Sequence, residues 1–338
     1  MKKVLSLLVL LALCVSMLVA CGGGQGGSGE GSGEGSGEQG GSGEGSGATA
    51  KDYKLSIGVA LEEDAEGASV AQTVAVIVTD AEGKIVTCRV DCIEYSAFDR
   101  SGAFVETAPT SKVALGEDYD SGNRMPAGDW YVQGAAFESY VKGMTQQQVA
   151  AITMGDDGKT DLIASCTIAI ADLVKAVDNA FKSEHKISFS SAATSFTAGL
   201  SAVSKLTFTE KEATETTAAC TDVKFSVTFA GAVLVDGAVV ASILDTAEPT
   251  LNGIVDKDSG AASITFDGSK RELGTAYDAY KPMPAGTWYV QADKFALTAN
   301  GLTKDNIDSL ATEGVAGCTI NVTNSEKPAL EAAVKAAR

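Results

Sequence analysis

The apolar pattern divides the chain into stretches of different period. Val4 to Ala20 is an almost unbroken apolar run, and Gly22 to Gly47 has no apolar side chain at all. Beyond these, short β-branched runs appear: Thr73 to Thr79 reads TVAVIVT, the turn residues Asp80-Ala81-Glu82-Gly83 follow, and Lys84 to Val90 resumes the pattern, which predicts a hairpin. Phe225 to Leu234, Asp236-Gly237 and Ala238 to Leu244 repeat this plan, with Asp91 and Asp245 at matching places after the second strand of each. The alternation predicts antiparallel sheet buried on one face. Then the period turns helical. Trp130, Gln133, Phe137 and Val141 fall at steps of three and four, as do Trp288, Gln291 and Phe295. A shorter helix is expected after Thr145, with Gln148 reaching back to the cap, and another over Lys304 to Leu310 after Thr303. A strand holding Cys166 or Cys318 and a last helix are expected to close each set. The helical stripes are Leu173, Ala176, Val177, Ala180 and Phe181, and then Leu330, Ala333, Val334 and Ala337.

The two sets are internal copies by sequence. LGEDYDSGNRMPAGDWYVQ from Leu115 and LGTAYDAYKPMPAGTWYVQ from Leu273 agree at 12 of 19 positions without a gap. Strands followed by helices argue an α+β class: two duplicated modules, each a small antiparallel sheet packed with helices, after a disordered tether. The expected boundaries are a signal peptide over 1–20, a linker over 21–50, the first module over 51–183, a connector over 184–203 and the second module over 204–338. The connector is also a candidate for the second module's first strand.

The ends of the apolar run carry an address. Lys2 and Lys3 precede it, and Leu18-Val19-Ala20-Cys21 closes it. That is the layout of an export signal, although its length also approaches that of an uncleaved anchor. The small Ala20 ahead of Cys21 looks like the lipobox of bacterial lipoproteins, which implies cleavage and lipidation at Cys21, hence membrane lipid as a partner and the outer face of the cell membrane as the location. The Gly/Ser/Glu linker behaves as a solvated coil averaging about 28 Å end to end.

Composition then removes chemistries. A formal charge of −18 argues against nucleic acid, and the single histidine, His185, excludes a multi-histidine metal site. No phosphate loop, GxSxG elbow or CxxC pair is present. The acidic turns Gly155-Asp156-Asp157-Gly158 and Asp256-Lys257-Asp258-Ser259-Gly260 lack the EF-hand spacing and read as solvated turns. Five cysteines follow the linker: Cys88, Cys92, Cys166, Cys220 and Cys318. Cys88 and Cys92 lie about 13 Å apart on an extended strand and cannot bond each other. Cross-strand pairing with Cys166, a Cys220–Cys318 bond, and buried reduced thiols all remain open. Trp130 with Tyr131, and Trp288 with Tyr289, are candidates either for core packing or for the wall of a planar ligand.

Taken together, the lipobox, the tether, the paired LGxxY and WYxQ blocks, the helix cap and the closing helix resemble the tandem FMN-binding lipoproteins of Gram-positive extracellular electron transfer. The resemblance implies covalent FMN, linked by a flavin transferase through its phosphate to a threonine hydroxyl in each module. It also implies electrons passing from quinol-linked membrane dehydrogenases to external acceptors, so the protein would be a redox carrier more than a catalyst. Lys211-Glu212-Ala213-Thr214 fits the family's attachment segment, which makes Thr214 the candidate acceptor. The matching stretch of the first module, Glu62 to Ser69, offers only Ser69, and the glycine after the LGxxY tyrosine is replaced by Asp120 and Asp278. The rival reading is a non-redox surface module for a solute or cell-wall ligand; a third is an adhesive or structural lipoprotein.

Overall fold

The structure is a computed structural model that describes residues 49–120, 125, 127–279 and 283–338. The expected signal peptide, Cys21 and nearly all of the linker lie outside the described residues. β1 (Lys51–Asp64), β2 (Ser69–Thr79) and β3 (Ile85–Ser96) form an antiparallel meander in which β2 is central. The turn between β2 and β3 is the one the sequence marks: Gly83 has φ 74°, and Asp80 Oδ1 accepts from the Lys84 amide at 2.8 Å. Next come α1 (Lys112–Leu115), α2 (Trp130–Val141), α3 (Gln146–Ala150) and α4 (Ala171–Lys182). Gln148 Oε1 accepts from the Thr145 amide at 2.9 Å, as the capping pattern predicts. β4 (Ile187–Ser191) returns to β1 and completes a sheet of order β3-β2-β1-β4.

The remaining chain again places strands before helices. β5 (Thr197–Lys211), β6 (Cys220–Val235) and β7 (Ala238–Ala247) form the second meander; of the expected connector, 184–203, only the last residues enter β5, while β4 within it belongs to the first sheet. Asp236 and Gly237, with φ of 49° and 83°, make the tight turn that a two-residue hairpin loop requires. β8 (Thr250–Ile254) continues along β6, and β9 (Ser263–Thr265) pairs with β8. α5 (Lys270–Leu273), α6 (Trp288–Leu297) and α7 (Glu326–Ala336) follow. The class is therefore mixed α/β, with two antiparallel sheets and seven α-helices among the described residues.

The expectation of one solvated sheet face is corrected. β2 and β6 are buried on both sides, because residues 48–338 fold as one unit of four layers. Tyr53, Ile57, Val74 and Val76 of the first sheet meet Phe225, Val227, Phe229 and Ile243 of the second in an inner core. The alternate positions face helices: Ile77, Cys88 and Val90 pack with Trp130, Phe137 and Leu173, while Ala230, Leu234 and Leu244 pack with Trp288, Phe295 and Leu330. The closing helices press so close that a Cβ on Gly58 would lie 2.2 Å from Ala180 N, and one on Gly199 would lie 1.8 Å from Ala333 O.

Three further expectations differ from what is observed. Cys166 and Cys318 lie in irregular backbone just after turns rather than in strands, because a side chain replaces the missing ladder partner. Gln133 Oε1 accepts from the amides of Thr167 at 2.7 Å and Ile168 at 3.2 Å, and Gln291 Oε1 accepts from Thr319 at 2.7 Å. The helix expected over Lys304 to Leu310 shrinks to a 3-10 turn, Ile307–Ser309. There Asn306 and Ser309 bond the local backbone instead, Asn306 Oδ1 accepting from the Thr303 amide at 2.6 Å and Ser309 Oγ donating to Asn306 O at 2.7 Å. Asp91 and Asp245 sit inside β3 and β7, not after them.

Candidate functional site

The two aspartates organise matching corners of the fold. Each is 2% exposed. Asp91 Oδ1 accepts from its neighbour Cys92 N at 2.8 Å and from Val113 N in the first turn of α1 at 3.0 Å. Asp245 Oδ1 does the same with Thr246 N at 2.8 Å and Arg271 N in α5 at 2.9 Å. Burial pushes Asp91 up to about 6 despite hydrogen bonds from Ser111, Val113 and Cys92 that favour its charge. Burial also raises Asp245, against the opposing pull of Arg271.

Helices held this way present a lysine each. Ser111 and Ser269 cap α1 and α5, and the next residues, Lys112 and Lys270, reach across the aromatic residues of the repeat. Lys112 Nζ lies 4.9 Å from the Tyr119 ring centre and 5.6 Å from that of Trp130; for Lys270 the distances are 5.1 Å to Tyr277 and 5.2 Å to Trp288. At these distances the ring faces attract the ammonium groups. Lys112 pairs with Glu94, and Lys270 pairs with Glu248 at 3.3 Å. Burial penalises the Lys270 charge, but Glu248 and Tyr277 more than compensate and raise its pKa. Glu248 also receives Lys224 at 3.1 Å and the Ser226 hydroxyl at 3.4 Å. Burial works against its charge, yet Lys270 and Lys224 hold it below the usual carboxylate range.

Each corner opens into a cleft. The first, of about 270 Å³, is lined by Glu62, Thr73, Cys92, Glu94, Lys112 and Tyr119 among others. The second, of about 670 Å³, includes Thr246, Glu248, Thr265, Phe266, Lys270 and Tyr277. A groove of about 290 Å³ shares Glu62 and Glu94 with the first cleft and contains Ser69 and Asp64.

The residues singled out by sequence are distributed unevenly over these features. Ser69 begins β2, partly buried, opposite Asp64 and Ser96. Thr214 is exposed in the turn joining β5 and β6. Trp130 and Trp288, 5% and 3% exposed, pack in the two outer cores. Tyr131 is half-buried at the start of α2. Tyr289 stacks on His185, with ring centres 3.9 Å apart and planes 19° apart. The lysine–glutamate pairs were missed, although a signal existed: Ser-Lys precedes both LG blocks by the same interval, and Asp-x-x-Glu recurs at Asp91 and Asp245.

The five cysteines among the described residues are free, with Cys88, Cys92 and Cys166 buried. Burial lifts the Cys92 thiol to about 11, so it is neutral at physiological pH. Among the described residues no group of histidine, cysteine or carboxylate side chains could hold a metal ion, and no helix is long and apolar enough to cross a membrane. No protein-family model, curated protein or solved structure matches this chain.

Proposed function

We propose that this chain is a membrane-tethered extracellular carrier of reducing equivalents, built from two copies of one module and bearing covalent flavin mononucleotide on Thr214. The copy relation is supported by the matching Asp91 and Asp245 corners, the matching lysine clamps and the shared roles of Gln133 and Gln291. The observation that carries the attachment is the state of the Thr214 hydroxyl. It is exposed, accepts from the amides of Thr216 at 3.3 Å and Thr217 at 3.1 Å, and lies 2.5 Å from Thr217 Oγ1. An oxygen held by two N–H donors bears developing negative charge more readily than a free one, which suits a nucleophile in phosphoryl transfer. Ser69 fits a phosphodiester poorly, because Glu62, Asp64 and Glu94 around its groove repel a phosphate. One flavin per chain follows.

A bound flavin supplies reversible electron storage. The chain's own contribution is to present it: the hairpin tip leaves the group open to a flavin transferase, to a quinol-linked membrane dehydrogenase and to external acceptors. Lipid on Cys21 and the linker would keep the fold near its electron source. The test is coexpression with a competent flavin transferase followed by intact-mass analysis and peptide mapping. A single flavin phosphate is expected on the tryptic peptide from Glu212 to Lys224. Thr214→Val is expected to remove it and Ser69→Ala to leave it in place. A colourless, unshifted protein, made where the transferase modifies a second substrate, refutes the carrier.

The second reading, a surface module for a solute or cell-wall ligand, is favoured by one observation. The cleft beside Lys270 and Tyr277 measures about 670 Å³, inside the range of about 300–1,000 Å³ typical of ligand pockets. It is the reading that survives if no flavin is attached.

A further inference from the structure

β6 carries a hydrogen-bonding defect, and the opposite sheet repairs it. β7 and β8 run along β6 in a single register: Val227 faces Ala247 and Lys224 faces Thr250, so residue 225 faces residue 249. The Phe225 amide donates to Pro249 O at 2.9 Å, which makes this a hydrogen-bonded pair of the ladder. In such a pair the partner returns a bond from its own N–H. Pro249 has none, so the Phe225 carbonyl loses its donor at the middle of a buried strand. Gln72, 0% exposed on β2 of the other sheet, supplies one: its Nε2 donates to Phe225 O at 3.3 Å. The side chain stands among Val70, Val74 and Val76, which face the inner core, and its Oε1 has no hydrogen-bond partner among the described residues. A carbonyl only accepts, so the amide is oriented with its nitrogen toward Phe225.

We propose that Gln72 is the registry residue of the inner core, kept in an otherwise apolar layer because it substitutes for the amide that Pro249 lacks and so fixes how the two sheets sit on one another. An apolar interface tolerates sliding; a single directional bond whose loss strands a buried carbonyl does not. The bond also relates the two clefts. Thr73, next to Gln72, lines the first, and Glu248 and Thr250, on either side of Pro249, line the second.

A double-mutant cycle on the full chain tests this. Gln72→Met strands the Phe225 carbonyl when residue 249 is proline. In Pro249→Ala the ladder amide returns and takes over the bond. The expected result is that Gln72→Met shifts the folding equilibrium about tenfold less favourably in the wild-type chain than in the Pro249→Ala chain, a coupling of about 1.4 kcal/mol. Effects that add within about twofold overturn the proposal. A second measurement needs no proline variant: the carbonyl ¹³C shift of Phe225 is expected to move in Gln72→Met, and an unchanged shift also overturns it.

Discussion

The buried Asp91 predicts an unusual dependence of stability on pH. Its carboxyl is 2% exposed, and burial carries its pKa from the ordinary 3.8 to about 6. The charged groups facing it are few: Lys112 on α1 favours ionisation, while Ser111, Val113 N and Cys92 N hydrogen-bond the carboxylate without reversing the effect of burial. A carboxyl that binds its proton more tightly folded than unfolded contributes stability that is complete below pH 3.8 and lost as the pH rises through about 6. At about 1.36 kcal/mol per pH unit, that loss amounts to about 3 kcal/mol. Asp91→Asn removes the titration but keeps an Oδ1 able to accept from Cys92 and Val113. The variant is therefore expected to gain on the wild type by about 3 kcal/mol between about pH 4 and pH 8, with Asp245 titrating equally in both chains. Urea unfolding across this range, followed by the fluorescence of Trp130 and Trp288 in the two outer cores, measures the gap directly. Parallel stability curves for the two proteins would show that Asp91 titrates normally and refute the reasoning.

Two other perturbations follow from packing and hydrogen bonding. Gln133→Leu leaves the amides of Thr167 and Ile168 and the Gly128 carbonyl without their partner, because Gln133 is 0% exposed and bonds all three. A loss of about 2–4 kcal/mol in urea unfolding is expected, at about 0.5–1.5 kcal/mol for each of the three lost hydrogen bonds, and a loss under about 1 kcal/mol would contradict the role given to that side chain. Gly199→Ala puts a Cβ 1.8 Å from Ala333 O, so α7 must lift from β5; calorimetry is expected to show a loss of at least about 1–3 kcal/mol, and an unchanged Tm would disprove the close approach.

Much of the local structure was legible from residue patterns because its causes are local. β-branched runs, the Asp236-Gly237 turn, the Thr145 cap and the helical stripes depend on neighbours within a few positions, and each appears where expected. The strands around Cys166 and Cys318 failed because the competing partner, a glutamine side chain, lies 34 residues from Thr167 in one case and 28 from Thr319 in the other. Thr214 and Ser69 were visible as hydroxyls near strand ends. Their surroundings were not: the amides on one and the carboxylates around the other are set by turn geometry and by the meeting of separate strands.

From its order of residues alone this chain declares strands followed by helices, read as an α+β class, a repeated block and the places of most of its turns and helices, since those follow from propensity and short-range periodicity. Tertiary packing alone settled that the two sheets share an inner core, that the lysines stand over the repeat's aromatic rings, and that Gln72 answers a defect left by Pro249. The reason is physical. Burial on both faces of a sheet, and a hydrogen bond spanning 153 residues of sequence, depend on what arrives from elsewhere in the chain.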